Sequence, residues 1–288
     1  MSADDRTGAA RDPYPAAVTK AAPDRTPPAR ARRRRPPGWV PNQHGAWAML
    51  VVPPLVGVAR SGPTWSHLLL LAAWLSAYLA FYAVGLWLKS HRKARYRPAA
   101  VTYAASTAAL GVPLLVLHPE LLRWGVVFAP LLALSLGYSA RRDDRALAND
   151  LLTTAAASVM VVVAGALGAD AAAPAPLGAF GFAWFPGGAD ERLWFAALVL
   201  FGYFAGTAFY VKTMIRERGS RGWLAASIAW HVGALGATLL AWPGAAWLMV
   251  VALVRAVVVP WKWPRLSAAQ IGAGEVVVSA LLAVVLAV

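Results

Sequence analysis

The sequence contains no cysteine among its 288 residues, and only 14% of the residues are charged. The lack of cysteine excludes disulfides, thiolate metal sites, haem attachment and a cysteine nucleophile. Charged residues make up about 25% of an average soluble domain, so this chain is poor in them. Four common patterns are also missing: G-x-S-x-G, H-E-x-x-H, a glycine-rich phosphate loop, and histidines paired at four-residue spacing. These absences argue against a soluble enzyme, and the sequence predicts no cofactor.

Apolar residues make up 59% of the chain, which includes 14 tryptophans and has a mean hydropathy of +0.54. A membrane-spanning helix needs about 20 apolar residues. The long apolar runs therefore predict an all-α fold, a polytopic transmembrane helix bundle of about nine spans, with eight possible. The runs cover roughly residues 46–60, 68–88, 99–117, 121–139, 146–168, 193–215, 223–242, 244–259 and 268–288. The first and eighth are short, and Pro53 and Pro54 predict a kinked or irregular first helix.

The first 38 residues have a different composition, rich in Ala, Pro and Arg and without apolar periodicity. Such a segment buries too little apolar surface to offset the entropy lost on ordering. We expect residues 1–38 to form a disordered cytoplasmic tail and residues 39–288 to form the transmembrane domain. The arginine cluster at residues 30–35 either touches anionic headgroups or acts only as a topology signal.

The basic residues fall on alternate connections between the apolar runs. With nine spans and a cytoplasmic N-terminus, the outer side holds three of the 27 lysines and arginines, namely Arg60, Arg123 and Arg192. Cytoplasmic loops retain positive charge, so this asymmetry predicts a cell-membrane protein, inner or plasma membrane, with the N-terminus inside and Val288 outside. The net charge of +14 is spread between apolar runs, so no nucleic-acid partner is predicted. Membrane lipids are the expected partners, and the oligomeric state is open.

Polar residues gather at the predicted inner ends of the spans. Side chains of this kind are costly in hydrocarbon and usually face the bundle interior. The candidates for an anion site are His44, Lys89, Arg92, Arg142, Lys212 and Arg216, with polar support from Asn42, Tyr78, Tyr82, Asn149 and Asp150.

Each of these candidates has a structural alternative. Asn42 can cap the first helix, and His44 can anchor backbone instead of binding an anion or moving a proton. Lys89 and Arg92 share a helical face with the two tyrosines, but cations there also snorkel to headgroups. Asp150 needs a partner, and Arg142 or Arg145 is expected to provide it.

Two ionisable residues lie deeper in the predicted spans. Glu275 can carry a proton, or it can pair with a buried cation or a hydroxyl. His231 is either functional or a satisfied core histidine. Arg255 falls near the inner end of the eighth span and counts with the inner cations.

The stretch Pro41-Asn42-Gln43-His44-Gly45-Ala46-Trp47-Ala48-Met49-Leu50 resembles the start of the YwiC-like family of bacterial membrane proteins. Lys212-x-x-Ile215-Arg216-Glu217-Arg218 also fits that family. The resemblance covers about residues 39–288. It implies an integral membrane protein whose function is undefined.

A second resemblance, in architecture, is to the UbiA prenyltransferase superfamily. The run Gly137-Tyr138-Ser139 through Arg142, followed by Ala148-Asn149-Asp150-Leu151, is similar to its connection between spans four and five. Those enzymes hold a magnesium-bound diphosphate between aspartate-rich motifs at the ends of spans two and six. This chain has Lys89-Ser90-His91-Arg92-Lys93 and Lys212-Thr213-Met214-Ile215-Arg216 in those places, without carboxylates.

The departure from the UbiA pattern shapes the functional hypothesis. Without carboxylates magnesium has no obvious protein ligands, so no metal is expected and the balance is against an enzyme. The cations either hold an anion directly or are structural charge. We predict a cytoplasm-facing cationic site for an anionic lipid or a small organic anion. The alternatives are a degenerate or metal-independent UbiA-like prenyltransferase and a small-solute transporter.

Overall fold

The computed structural model describes residues 38–41, 46–171, 173 and 181–288. Nearly all of the predicted tail and the candidates Asn42 and His44 lie outside this range, so those predictions stay open. The described part is helical and without strands. It contains nine α-helices: α1 (Ala46–Ser61), α2 (Trp65–Lys89), α3 (Arg97–Leu117), α4 (Gly125–Ala140), α5 (Leu147–Gly165), α6 (Glu191–Ile215), α7 (Arg221–Ala241), α8 (Ala246–Lys262) and α9 (Ala268–Ala287).

Eight of these helices are long and apolar enough to cross a membrane, where α3, α4 and α8 are each counted with the short 3₁₀ segment before them. The ninth, α1, is an apolar helix of 16 residues that contains Pro53 and Pro54, both buried. The all-α, multi-pass prediction is confirmed: the described residues form eight candidate spans, and α1 is a ninth, shorter apolar helix. Its described residues begin at Ala46 and are continuously helical to Ser61 despite the two prolines.

The centre of the bundle is formed by α5 and α6, which are the most enclosed helices. Helix α1 packs closely against α5 because Gly57 has no side chain; a Cβ there would overlap the Val161 carbonyl oxygen and lie 2.8 Å from the Ala164 Cβ. By contrast, α3, α4 and α7 keep most of their apolar surface exposed, as expected of lipid-facing helices.

Contacts between helix ends show how the helices alternate in direction. At one end Asp170 N donates to the Ser61 carbonyl oxygen at 2.9 Å, and Thr64 Oγ1 donates to the Leu167 carbonyl oxygen at 2.8 Å. Arg60 reaches the Leu286 carbonyl oxygen near the end of α9 at 3.4 Å. The end of α1 and the start of α2 thus lie beside the ends of α5 and α9. The opposite end carries the basic connections, which contain the predicted site.

Candidate functional site

The tip of α2 is attached to the connection between α4 and α5, residues 141–146. Lys89 Nζ lies 2.6 Å from Asp144 Oδ1, and both side chains are partly exposed. Arg142 Nε donates to the Lys89 carbonyl oxygen at 3.2 Å. The connection therefore holds both the side chain and the backbone of the last α2 residue.

The tip of α6 is attached to the same connection from the other side. Lys212 Nζ donates to the Arg145 carbonyl oxygen at 2.5 Å and lies 2.8 Å from Asp150 Oδ2. Arg216 Nη1 reaches the Arg145 carbonyl oxygen at 3.4 Å. Lys212 is only 7% exposed, whereas the side chain of Asp150 is partly exposed.

The partner of Asp150 differs from the expected one. We expected Arg142 or Arg145, which are close in sequence, but the ion pair is with Lys212. The reason is packing: α5 and α6 lie side by side, so the first turn of α5 meets the last turn of α6. The side chain of Arg142 instead faces α2.

Asn149 fixes the shape of the connection. Its Oδ1 accepts a hydrogen bond from Ser135 Oγ at 2.5 Å, and its Nδ2 donates to the Asp144 carbonyl oxygen at 2.8 Å. The side chain is buried, and the two bonds tie α4, the connection and α5 together. The other predicted supports lie deeper on α2: Tyr78 packs edge-on against Trp47 at 5.9 Å between ring centroids, and Tyr82 is one turn closer to Lys89.

Two arginines of the site have left-handed backbone conformations, Arg92 with φ 59° and Arg142 with φ 62°. Each follows the end of a helix, α2 or α4, where glycine is the usual residue. Arg92 N donates to the Trp87 carbonyl oxygen at 2.7 Å, and Asp143 N donates to the Tyr138 carbonyl oxygen at 2.9 Å. A side chain in this conformation costs roughly 1–2 kcal/mol. Strain of this kind is often kept at functional positions.

Exposure separates the predicted cations into two classes. Lys212 is buried and Lys89 is partly exposed, and each is paired with a carboxylate, whereas Arg92, Arg142 and Arg216 are exposed. Lysines and arginines also outnumber carboxylates around the connection, so positive charge remains after the two ion pairs are formed. We use the name basic site for these five residues: the exposed Arg92, Arg142 and Arg216, and the paired Lys89 and Lys212.

A second polar cluster lies inside the bundle, between α6, α8 and α9. Arg255 Nη1 donates to Glu275 Oε1. The other carboxylate oxygen, Oε2, accepts from Thr207 Oγ1 at 2.8 Å and from Tyr203 OH at 3.0 Å. The Tyr210 ring lies over the Arg255 guanidinium, 4.4 Å from its centroid. Glu275 therefore pairs with a buried cation and with hydroxyls, one of the two alternatives that the sequence left open.

The sequence interpretation missed Arg255, Tyr203 and Thr207 as members of this cluster. A usable signal was present, since Arg255 and Glu275 are opposite charges within the last two apolar runs, and such charges pair with each other. The two hydroxyls gave no signal, because their approach to Glu275 depends on how α6 packs against α9.

His231 on α7 is buried beside this cluster, at 3% exposure. Its Nδ1 donates to the Ser227 carbonyl oxygen at 2.7 Å, which assigns the proton to Nδ1 because a carbonyl only accepts. Its Nε2 points at Gly206 of α6, where an added Cβ would lie 3.0 Å away. No described residue gives this Nε2 a hydrogen-bond partner.

Within the described ranges, no three His, Asp or Glu side chains gather closely enough to hold a metal ion. The arrangement offers instead exposed guanidinium groups at one bundle end and a buried ion pair with a neighbouring imidazole inside it. Guanidinium groups bind carboxylates and phosphates through paired hydrogen bonds.

Comparison with known proteins identifies relatives of this chain. The family model described as YwiC-like protein matches residues 40–165. The uncharacterised protein YwiC of Bacillus subtilis is 34% identical over 195 residues, which cover 67% of this chain and 74% of that protein. An uncharacterised protein of Haemophilus influenzae is 29% identical over 253 residues, 86% of this chain and 97% of the relative. No solved structure matches the chain, so the likeness to the UbiA superfamily stays a prediction.

Proposed function

The chain belongs to the YwiC-like family, and from this premise we propose that it binds an anionic ligand at the cytoplasmic face of the cell membrane. The ligand is an anionic lipid headgroup or a small organic anion. The site is the basic site around the connection between α4 and α5.

The observation that carries this proposal is the convergence of α2, the connection and α6. Cationic residues far apart in sequence are attached to one short connection through the Lys89–Asp144 and Lys212–Asp150 ion pairs. Their exposed neighbours Arg92, Arg142 and Arg216 then carry positive charge without a carboxylate of their own among the described residues. A phosphate or carboxylate suits these planar, permanently charged groups.

The two kinds of cation have different roles in this proposal. Lys89 and Lys212 position the helix tips, because their ammonium groups are already paired. Arg142 and Arg216 contact the ligand, since both are exposed on either side of the connection. An anionic headgroup attracts a nearby basic side chain by about 1 kcal/mol per charge.

The cytoplasmic orientation is part of the proposal and follows from charge asymmetry. The connections that carry most of the lysines and arginines lie on the side of the basic site, and cytoplasmic loops retain such residues. This orientation presents the basic site to the anionic inner leaflet.

Native mass spectrometry of the full chain tests the proposal. The protein is extracted from vesicles that contain equal amounts of phosphatidylglycerol and phosphatidylcholine, and the lipids that stay bound are counted. We expect preferential retention of phosphatidylglycerol and a several-fold loss of it in Arg142→Gln/Arg216→Gln. A second arm adds succinate to find whether a soluble dianion displaces the lipid.

The matched control is Arg192→Gln, which removes an exposed arginine at the opposite end of the bundle. It should retain phosphatidylglycerol like the unaltered chain. Equal retention of the two lipids by the unaltered chain, without succinate binding, would contradict the proposal.

A further inference from the structure

The cluster around Arg255 and Glu275 lies well inside the apolar bundle. Arg255 precedes the last residue of α8, Lys262, by seven positions. At the rise of an α-helix this places it about 10 Å from the helix end. Ionisable groups at such depth are rare and mark ligand or ion sites more often than simple packing.

Glu275 is fully engaged in this cluster. One carboxylate oxygen accepts from Arg255, and the other accepts from Tyr203 and Thr207. Glu275 thus acts as a fixed counter-ion of Arg255 and anchors α9 to α6 and α8.

Arg255 is engaged on only one side. Its Nη1 faces Glu275, whereas Nε and Nη2 are buried and no described residue accepts a hydrogen bond from them. These two nitrogens form the side-on edge of the guanidinium, whose parallel donors match the two oxygens of a carboxylate. Buried donors of a charged group are costly to leave unpaired, so this edge is suited to an incoming acceptor.

Helix α7, which packs against α6 and α8, carries two further buried polar atoms without a partner among the described residues. These are His231 Nε2 and Ser227 Oγ, which lie one turn apart on the same face. His231 Nε2 faces Gly206 of α6, and the next residue, Thr207, donates to Glu275, which is paired with Arg255. The unpaired groups of α7 and α8 thus belong to one polar region.

Charge balance in this region determines what can bind. Arg255 and Glu275 cancel, so a bound carboxylate would add an uncompensated negative charge in an apolar interior, which is unfavourable. His231 can supply the compensating charge: with Nδ1–H held by the Ser227 carbonyl, a second proton turns Nε2 into a donor. The other titratable and charged groups of the cluster are Arg255 on α8, Glu275 on α9, and Tyr203 and Tyr210 on α6.

We propose that Arg255 and His231 form an intramembrane binding site for a carboxylate, which binds together with one proton. The carboxylate oxygens accept from Arg255 Nε and Nη2, and the proton comes from water and resides on His231 Nε2. Arg255 and Glu275 form an ion pair, so a carboxylate and a proton that bind together leave the net charge of the region unchanged. This site is separate from the basic site, and its existence does not depend on the function proposed there.

A carboxylate can reach this depth as a small soluble acid or as a fatty acid from the bilayer. Binding of radiolabelled acetate and octanoate to the full chain in phosphatidylcholine nanodiscs distinguishes the two sources. The measurements are made at pH 6 and pH 8 in the Arg142→Gln/Arg216→Gln background, so that the basic site contributes little. We expect saturable binding of at least one acid, tighter at pH 6.

Two substitutions test the assigned atoms. Arg255→Lys keeps the positive charge beside Glu275 but removes the side-on edge, and it should weaken binding about tenfold or more. His231→Gln should remove the pH dependence, leaving affinity at both pH values close to that of the unaltered site at pH 8. The control Arg265→Lys, an exposed position beyond α8, should bind like the background chain.

Proton uptake tests the proposal without any substitution at Arg255 or His231. Addition of saturating acid to the weakly buffered background protein should take up about one proton per carboxylate bound, reported by a pH indicator. Binding of acetate alone, octanoate alone or both supports the site and identifies the source. Absence of saturable binding, binding without proton uptake, or an unchanged affinity in folded Arg255→Lys would overturn the proposal.

Discussion

Lys212 and Asp150 form an ion pair that joins the last turn of α6 to the first turn of α5, with Nζ 2.8 Å from Oδ2. Because Lys212 is almost completely buried and also donates to the Arg145 carbonyl oxygen, this contact fixes the connection between α4 and α5. The position of the exposed arginines at the basic site therefore depends on a contact between residues 62 positions apart in the sequence.

Removal of this contact should loosen the bundle. Lys212→Met is expected to lower the free energy of unfolding by about 2 kcal/mol, because Asp150 keeps its charge without its partner. Asp150 is partly exposed, which limits the loss. Unfolding is followed by tryptophan fluorescence. The double variant Lys212→Met/Asp150→Asn should recover part of the loss, and an additive effect of the two single variants would contradict a direct pair.

Arg142 offers a substitution in which stability and ligand binding should change in opposite directions. Its φ of 62° is favourable for glycine, and the hydrogen bond to the Lys89 carbonyl oxygen that would be lost is solvent-exposed. The relief of strain should exceed that loss, so Arg142→Gly is expected to raise stability by less than about 1 kcal/mol. The same change should reduce phosphatidylglycerol retention, because it removes a ligand-binding guanidinium. Thermal unfolding and native mass spectrometry of one preparation measure both effects.

The neighbouring Arg141 is the control for this experiment. It is also exposed and cationic but has φ −79°, which any residue adopts, so Arg141→Gly should lower stability slightly. If both glycine variants lowered the melting temperature equally, the left-handed conformation of Arg142 would not be a source of strain.

Hydropathy and charge predict much of this fold. The apolar runs locate the nine helices of the described residues, because a helix in lipid satisfies its backbone hydrogen bonds internally and is recognised by its apolar length. The cations of the basic site are also recognisable, since they cluster at run ends. The partners of these residues are not recognisable from the sequence. Asp150 pairs with Lys212 rather than with its sequence neighbours, because α5 and α6 pack side by side. Pairings of this kind depend on rotation and depth of helices, which one sequence does not reveal.

The intramembrane ion pair should be a major source of stability. Glu275→Gln leaves Arg255 buried without its counter-ion and is expected to cost about 3–5 kcal/mol. Chemical denaturation in mild detergent measures the loss. Glu191→Gln, at the exposed start of α6, is the matched control and should cost less than about 1 kcal/mol. Similar losses in both variants would show that the pair with Arg255 contributes little.

The close approach of α1 to α5 can be tested with two glycines in similar helical settings. A Cβ at Gly57 would overlap the Val161 carbonyl oxygen, whereas one at Gly111 of α3 meets nothing within 4 Å. Gly57→Ala should therefore destabilise the protein by about 1–3 kcal/mol, because α1 must move away from the centre of the bundle. Gly111→Ala should be neutral or stabilising by up to about 1 kcal/mol, since alanine is the better helix former. Thermal unfolding of both variants measures the difference. Equal effects would mean that α1 packs loosely, and its short apolar length would then make it a peripheral helix rather than part of the core.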